Sequence, residues 1–458
     1  MRPPERCNRS SVPWAMPDTQ MRIPNAAHWP VTQLGDVCAL ISRGTAPVYV
    51  ERSDVMAIGQ RCVTVAGFDA GKARPHSHRA MRGVVEPACG DVLLNSTGTG
   101  TIGRSCVFRH KGQFVLDGHV TVLRPNQARL DGRWLNAILR SVWGQSHLER
   151  FCFSGSTNQV ELNRVPLATT GLPLPPVHEQ RLAAKVLDTL DTTIRQTEAI
   201  IEKLKQVKQG LLHDLLTRGI DDNGELRPPQ SEAPHLYKES ALGWIPWKWS
   251  TPSIAEIKAE LIDGDRGANY PGADDYRHEG FCVFLSAQNV TSEGFRFYTV
   301  QFIDETRHRL LRNGAMNRGD IAVTTRGTLG NVGHFDGAVP FDVVRINSGM
   351  AIIRSHDDRL SNSFLYEYLR SQSGQRQFEV GSYGSAQPQL NLDILRNLRL
   401  ALPSITEQDG IQKHALTAQT LISNEGDALN KLRLLKSGLM DDLLTGRVRV
   451  TSLLNAET

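Results

Sequence analysis

Several features that would mark a particular class of protein are scarce or missing. Aromatic residues make up 6% of the chain, and no stretch approaches the roughly 18 consecutive apolar residues of a membrane-spanning helix. The seven cysteines stand singly and never as Cys-x-x-Cys, at Cys7, Cys38, Cys62, Cys89, Cys106, Cys152 and Cys282. This spacing argues against a disulfide framework and against a thiolate zinc site. It favours a reducing, cytoplasmic compartment.

An excess of charge of one sign is also missing. The chain has 52 basic and 48 acidic residues, for a formal net charge of +4. That balance permits nucleic-acid binding without demonstrating it. At 458 residues the chain is too long for one core, so we expect about two to four domains.

Catalytic motifs are missing as well. There is no His-Glu-x-x-His, EF-hand or Gly-x-Ser-x-Gly pattern, and the 14 histidines form no tight cluster. One glycine-rich stretch, Gly98 to Ser105, matches Gly-x-Gly-x-x-Gly, but the strand-like run Cys106 to Phe108 follows it where a nucleotide site needs a helix. We therefore predict a tight turn between strands, and neither a catalytic centre nor a bound metal or cofactor.

What the chain does contain is a long internal repeat. Leu174 to Gln180 reads Leu-Pro-x-x-x-Glu-Gln and recurs as Leu402 to Gln408, and Leu215 recurs as Leu443, so the offset is a constant 228 residues. Weaker matches precede each copy, such as Gly100 to Gly103 with Gly327 to Gly330. A repeat of this length indicates two copies of one unit.

Each copy ends in a predicted long helix. Apolar residues recur there at steps of three or four, the pattern of a helix that packs lengthwise on a partner. The predicted packing residues are Leu190, Ile194, Ile201, Leu204, Leu211, Leu215, Ile422, Leu429, Leu432, Leu435, Leu439 and Leu443. About 40 residues at about 1.5 Å each give a rod of about 60 Å. Ser404-x-x-Glu407 has the pattern of a capping box at the start of the second helix.

Before each helix, short apolar runs punctuated by Gly, Asn and Asp indicate strands joined by turns, with a few helices such as Trp134 to Leu139 and Phe364 to Leu369. We predict an α+β chain with two mixed α/β globules. Two long antiparallel helices form a coiled-coil-like spacer between them, in an internal repeat with pseudo-twofold symmetry.

Polar turn segments in the globules are the candidates for contact with DNA bases, although turn chemistry alone also accounts for their composition. The candidates are Asn95, Ser96, Thr97, Arg104, Ser156, Thr157, Asn158, Gln159, Gln288, Asn289, Thr325, Arg326, Thr328, Ser385, Gln387 and Gln389.

The ordered, duplicated set of motifs resembles the specificity subunit of type I restriction–modification systems. The resemblance rests on the two helix starts, the Lys-Leu-Lys/Arg-x-x-Lys-x-Gly-Leu helix bodies and Gly243 to Trp247, and it covers about residues 28 to 446. It implies a target recognition domain (28–176), a spacer helix (177–218), a linker (219–245), a second target recognition domain (246–403) and a second spacer helix (404–446). Residues 1–27 are predicted to be an N-terminal extension, which departs from the short start usual in this family, and residues 447–458 a tail.

The resemblance also implies a non-catalytic subunit that reads a bipartite, asymmetric site in double-stranded DNA. Two modification (methyltransferase) subunits and the restriction subunits would be its partners. They, and not this chain, would carry S-adenosylmethionine, ATP and Mg. Two alternatives remain open from the residues: a tandem scaffold that binds proteins, and a nucleotide-dependent enzyme built on Gly98 to Ser105.

Overall fold

The chain folds as two compact units. In the computed structural model, which describes residues 23–25, 27–155, 159–383 and 389–450, unit 1 comprises Met1–Ala199 with Gly426–Thr458, and unit 2 comprises Ile200–Glu425. The boundaries therefore fall within the two long helices, and not at their ends as the sequence predicted. Each unit contains one globule and one half of each helix.

The described residues of unit 1 up to Ala199 form short strands and five α-helices, the last of which continues into unit 2. Its strands are β1 Val31–Gln33, β2 Cys38–Arg43, β3 Val55–Ile58, β4 Val63–Thr64, β5 Gly67–Phe68, β6 Arg74–Pro75, β7 Val92–Asn95, β8 Ser105–Val107, β9 Gln113–Leu116, β10 Val120–Pro125, β11 Phe153–Ser154, β12 Glu161–Leu162 and β13 Gly171–Pro173. Its helices are α1 Leu34–Val37, α2 Gly132–Arg140, α3 Val142–His147, α4 Arg164–Ala168 and α5 Val177–Thr217.

Two sheets form the centre of unit 1. One has the order β2-β10-β7-β8, and the other has the order β6-β3-β9, in which β3 and β9 are parallel. In β7, Leu93 points into one apolar cluster, whereas Val92 and Leu94 belong to the cluster that includes Trp134 of α2. Because successive side chains of a strand point to opposite faces, both faces of this sheet are buried.

Unit 2 repeats this arrangement with its own strands and helices. The strands are β14 Tyr237–Ser240, β15 Gly243–Pro246, β16 Ala259–Asp263, β17 Cys282–Leu285, β18 Val290–Thr291, β19 Gly294–Phe295, β20 Phe302–Ile303, β21 Ile321–Thr324, β22 Val332–His334, β23 Val344–Ile346 and β24 Met350–Ser355. The helices are α6 Glu305–Leu310, α7 Asn362–Arg370, α8 Gln372–Ser382, α9 Leu392–Asn397 and α10 Ile405–Thr445.

The sheets of unit 2 have the same topology as those of unit 1. Their orders are β16-β24-β21-β22 and β20-β17-β23, with β17 and β23 parallel. In β21, Ile321 and Val323 lie in one apolar cluster and Ala322 in another. The same fold therefore occurs twice in the chain, which agrees with the repeat in the sequence.

The two long helices have 41 residues each and run antiparallel within each unit. In unit 1, Lys436 forms an ion pair with Asp191, and Arg433 forms one with Glu198 at 2.7 Å. In unit 2, Lys208 Nζ donates a hydrogen bond to Gln419 Oε1 at 2.9 Å. Low residue numbers on α5 thus meet high numbers on α10, as the repeat predicted.

The prediction that Leu435 packs between the two helices is wrong. Leu435 is 52% exposed, whereas Leu215, Leu429 and Leu443 are buried. The inward-facing positions of α10 follow one another here at a step of four residues, from Leu432 to Lys436, and then at a step of three, to Leu439. Lys436 therefore takes the inward position beside Asp191. The other eight predicted residues, Leu190, Ile194, Ile201, Leu204, Leu211, Ile422, Leu432 and Leu439, are half-buried.

Three further expectations need correction. Residues 219–245 are folded and not an open linker, since β14 and β15 form a hairpin and Arg227 binds Glu407. Of the predicted extension, residues 1–22 and 26 lie outside the described part, yet Ile23 is buried in the core of unit 1. Only half of the capping box forms: Ser404 Oγ accepts from the Glu407 backbone N–H at 3.3 Å, while the Glu407 side chain points to Arg227.

The six cysteines among the described residues are all free, and no cluster of three metal-ligating side chains occurs in that part of the chain. Within the same ranges, no helix is long and apolar enough to cross a membrane.

Candidate nucleic-acid interface

In unit 1, four strands end at one edge of the sheets. Because β3 and β9 are parallel, Ile58 and Leu116 end together. Antiparallel pairing places the end of β2 and the end of β7 beside the start of β10, with Arg43 opposite Thr121 and Asn95 opposite Val120. We call the residues there (44–45, 59–60, 96–104 and 117–119, with 159–161) the loop face of unit 1.

Hydrogen bonds tie the segments of this loop face together. Ser96 N–H donates to His119 O at 2.8 Å, and Leu162 N–H donates to Ser96 O at 2.8 Å. Thr97 also forms a backbone bridge with Glu161. The glycine-rich turn and the segment before α4, which lie 60 or so residues apart in the sequence, are therefore neighbours.

Unit 2 has a matching loop face, formed by 264–266, 286–289, 325–330 and 347–349, with 389–390. Leu285 and Ile346 end together in parallel strands, and Thr324 lies opposite Met350. Thr325 N–H donates to Gly349 O at 2.8 Å, and Leu390 N–H donates to Thr325 O at 3.1 Å. The two faces thus have the same backbone design.

A duplicated glycine explains how the segments approach so closely. A Cβ atom built on Gly44 would lie 2.2 Å from Leu116 O, and one built on Gly264 would lie 2.0 Å from Asn347 O. Both positions follow directly after a strand, β2 or β16. A side chain at either one would push the strand end away from the loop face.

The predicted tight turn at Gly98 to Ser105 is confirmed. It connects β7 to β8, so a strand and not a helix follows the glycines. Thr101 Oγ1 donates to Gln60 Oε1 at 3.0 Å, and Arg104 Nη2 donates to Gly100 O at 2.7 Å. Side chains of the turn, together with that of Gln60, close it, and the helix N-terminus that a nucleotide site requires is not at this position.

Four predicted base-contacting residues are corrected to a supporting role, because their side chains are buried: Asn95, Ser96, Asn289 and Thr325. Asn95 donates to Gln60 O at 3.1 Å and to Thr101 O at 3.2 Å. The hydroxyl of Ser96 lies 2.6 Å from that of Thr121. Asn289 donates to Arg296 O and Thr299 O, and so holds a loop of unit 2.

The remaining described candidates lie on the surface of the two loop faces. Arg104, Gln159, Gln288, Arg326, Thr328 and Gln389 are exposed, and Thr97 is half-buried, with its hydroxyl 2.7 Å from His119 Nδ1. The other five candidates lie outside the described residues: Ser156, Thr157, Asn158, Ser385 and Gln387.

Sequence reasoning missed a pair of charged residues at each loop face. In unit 1, Arg43 Nη1 lies 2.9 Å from Glu161 Oε2, and in unit 2, Arg266 Nη2 lies 3.0 Å from Asp263 Oδ2. The hydrogen bond from Arg43 lowers the pKa of Glu161 below its ordinary value, so this carboxylate is ionised at neutral pH. The signal that could have found them is the Arg43-Gly44 and Asp263-Gly264 alignment at the ends of matching strands.

Fold and site together define a tandem recognition protein: two copies of one α/β unit, each with a polar loop face, whose exposed residues differ between the copies. Comparison with known proteins identifies the family. A family model described as the type I restriction modification DNA specificity domain matches residues 85–206 and 260–431, more than half of the chain. The chain belongs to this family.

Two curated relatives agree with this assignment. The chain is 26% identical over 365 residues to the MjaX type I restriction enzyme specificity subunit of Methanocaldococcus jannaschii, covering 79% of each chain. It is 25% identical over 264 residues to the EcoBI specificity subunit of Escherichia coli, covering 56% of this chain and 53% of that one.

Two solved structures have a similar fold. One comes from a study of complex assembly and conformational transition in the type I restriction–modification system, with a TM-score of 0.59, 16% identity and coverage of 92% and 98%. The other is the specificity subunit from M. genitalium, with a TM-score of 0.53, 14% identity and coverage of 92% and 96%.

Proposed function

We propose that this chain is the DNA sequence-specificity subunit of a type I restriction–modification complex. Each unit is a target recognition domain that reads one half of a bipartite DNA target through its loop face. The family match carries this proposal, and the pair of loop faces gives it a physical basis. Since the exposed residues of the two faces differ, the two half-sites differ and the target is asymmetric.

The long helices would act as the spacer between the two recognition domains. Each helix is continuous from one unit into the other, and in this proposal it would couple the two readers mechanically. A duplex repeats about every 10 base pairs, and two readers on a fixed spacer select two half-sites at one separation. Neither reader need bind tightly alone, because engagement of the second becomes intramolecular.

The partners in this proposal are double-stranded DNA, two modification (methyltransferase) subunits and restriction subunits. The chain itself is non-catalytic and binds no cofactor: S-adenosylmethionine would be bound by the modification subunits, and ATP with Mg by the restriction subunits. Exposed apolar side chains on the long helices, among them Val207, Leu416 and Leu434, offer surface for such partners.

The direct test is assembly with an adenine methyltransferase whose gene lies beside the gene for this chain, called the neighbouring methyltransferase below. Co-expression should give a complex that co-purifies, methylates DNA and binds it with an affinity that falls steeply between about 50 and 200 mM salt. Methyltransferase expressed without this chain should methylate no defined sequence. Failure to co-purify, together with DNA binding that salt does not affect, would contradict the proposal and favour a protein-binding scaffold.

A further inference from the structure

The ion pair between Arg43 and Glu161 occupies an unusual place. Arg43 ends β2 and Glu161 begins β12, and the two meet at the loop face of unit 1, where Glu161 forms its backbone bridge with Thr97. The side chain of Glu161 remains 56% exposed and that of Arg43 29% exposed. The carboxylate is therefore fixed in direction and still open to a ligand.

Stability is a weak reason for this pair. An exposed ion pair contributes about 0–1 kcal/mol to a fold. On a surface that approaches DNA, a carboxylate is also repelled by the phosphates, which dominate the affinity of such surfaces. Arg43 offsets part of this repulsion, and a hydrogen-bond donor on the DNA, which a phosphate does not provide, would offset the rest.

The bases provide such donors. An ionised carboxylate only accepts hydrogen bonds. In the major groove, the donors are the exocyclic amino groups, N4 of cytosine and N6 of adenine. Each base pair carries one of these amino groups on one of its strands, so a carboxylate there distinguishes the two orientations of a pair.

Unit 2 has the reverse charge at the matching position. Arg43 lies opposite Thr121 in the register of β2 with β10, and Asp263 lies opposite Ala351 in the register of β16 with β24. In unit 1 the strand end is cationic and its partner is Glu161; in unit 2 the strand end is anionic and its partner is Arg266. The partners of the two strand ends do not correspond. Arg266 lies three residues beyond Asp263, in the loop after β16. Gln389 takes the position of Glu161 in unit 2, since Leu162 N–H donates to Ser96 O and Leu390 N–H donates to Thr325 O. Glu161 and its ion pair are therefore particular to unit 1, as expected of a residue that reads one half-site and not of one that the shared fold requires.

We propose that Glu161 is a specificity-determining residue of unit 1, and that it accepts a hydrogen bond from the exocyclic amino group of a cytosine or adenine in the first half-site. Arg43 is a positioning residue that aims the Glu161 carboxylate. This inference rests on the proposed function, since it assumes that the loop face approaches DNA.

The test is a comparison of methylated target motifs for variants co-expressed with the neighbouring methyltransferase. Glu161→Gln replaces the carboxylate by an amide, and Glu161→Ala removes it. Arg43→Gln removes the guanidinium that pairs with the carboxylate. Glu51→Gln is the matched control, because it removes the same charge from an exposed residue near the start of β3, at the other end of that strand from the loop face. Asp263→Asn changes the residue at the strand end of unit 2 that matches Arg43.

The expected result is a change at one position of one half-site. A preference for the base pair there of about 10- to 100-fold should fall below about 3-fold with Glu161→Ala, while the other half-site and the gap stay as in the wild type. Arg43→Gln should relax the same position, Glu51→Gln should change nothing, and Asp263→Asn should affect only the other half-site.

Three outcomes would overturn the inference. An unchanged motif with both Glu161 variants would show that the carboxylate reads no base. Loss of all methylation with Glu161→Gln would assign Glu161 to the fold. A change in the same half-site from both Glu161→Ala and Asp263→Asn would contradict the assignment of one face to each half-site. A wild-type chain that directs no two-part motif would instead contradict the proposed function and this inference with it.

Discussion

Glu407 is expected to be the most sensitive single residue at the start of α10. Its Oε1 accepts from Ile220 N–H at 3.0 Å and from Arg227, and its Oε2 accepts from Trp249 Nε1 at 3.0 Å and from Arg227 Nη2 at 3.1 Å. The Arg227 and Glu407 side chains are only 12% and 10% exposed. Glu407→Ala therefore leaves two buried N–H groups without their acceptor and a largely buried guanidinium without its counter-ion, although Arg227 Nη1 still donates to Arg218 O at 3.0 Å.

The repeat supplies a control for the size of this effect. Glu179 occupies the same position at the start of α5 and binds Arg449, whose side chain is 44% exposed. Trp29, the counterpart of Trp249, has no hydrogen-bond partner for Nε1 among the described atoms. Removal of one partner from a buried pair costs about 3–5 kcal/mol, whereas Arg449 can return to water, so we expect about 1 kcal/mol for Glu179→Ala.

Hydrogen exchange is the suitable assay, because a chain of two units does not unfold in a single two-state step. Amide protection at residues 219–228 and 245–250 should fall by about 3 kcal/mol in free energy of opening with Glu407→Ala. The corresponding amides of unit 1 should fall by about 1 kcal/mol with Glu179→Ala. Equal effects of the two substitutions, or less than 1 kcal/mol for Glu407→Ala, would refute the reasoning.

Further predictions concern packing, hydrogen bonding and pH. Gln408→Ala should cost unit 2 about 2–3 kcal/mol in free energy of opening by hydrogen exchange, because the fully buried amide donates to Arg359 O at 2.7 Å and accepts from Ser361 N–H at 2.8 Å; a loss below 1 kcal/mol would contradict this. Leu429→Ala should cost about 2–3 kcal/mol in free energy of opening by hydrogen exchange and Leu435→Ala less than about 0.5, and similar costs of about 2–3 kcal/mol for both would show that the helices pack in the register first predicted. The hydrogen bond from Arg359 holds the pKa of Asp357 well below its ordinary value, so Asp357 stabilises the fold above the unfolded pKa and loses this effect as the pH falls through the folded pKa. The difference in unfolding free energy between the wild type and Asp357→Asn should therefore be constant above about pH 5 and shrink on acidification; a gap that widened would reverse the sign.

Much of the fold could be predicted from the sequence because the repeat supplies internal confirmation. Gln180 and Gln408 recur at a constant offset, and both prove to be buried amides that hold the backbone before α2 and α7. Two copies of one pattern reveal which residues the fold requires. The antiparallel helices followed from the same logic, since two apolar stripes in one chain can cover each other.

The wrong predictions concern features that occur in only one copy of the repeat or that depend on the register of a single helix turn. Leu435 matches the apolar pattern of the helix. After Leu432, however, the next inward position can lie three or four residues further on, and only the ion pair of Lys436 with Asp191 shows that it is position 436. Residues 219–245 have the composition of a linker, yet Arg227 binds a carboxylate 180 residues away. Such long-range pairs leave no local signal.

The candidate interface was predicted in part. The polar turns lie at matching loop faces, but the sequence could not separate buried from exposed members. Asn95 and Asn289 are typical of turns and of base contacts alike, and only their hydrogen bonds to backbone carbonyls assign them to the fold. Glu161 was not predicted as a site residue because its position depends on the ion pair with Arg43, which lies on a strand distant in the sequence.

The central claim is that this chain selects the DNA sequence that its complex modifies. The most direct measurement is single-molecule sequencing of adenine methylation in a host that carries this chain with its neighbouring methyltransferase, compared with the same host after deletion of this chain. The account predicts a gapped, two-part, asymmetric methylated motif that disappears on deletion. Methylation that is unchanged by the deletion would contradict it.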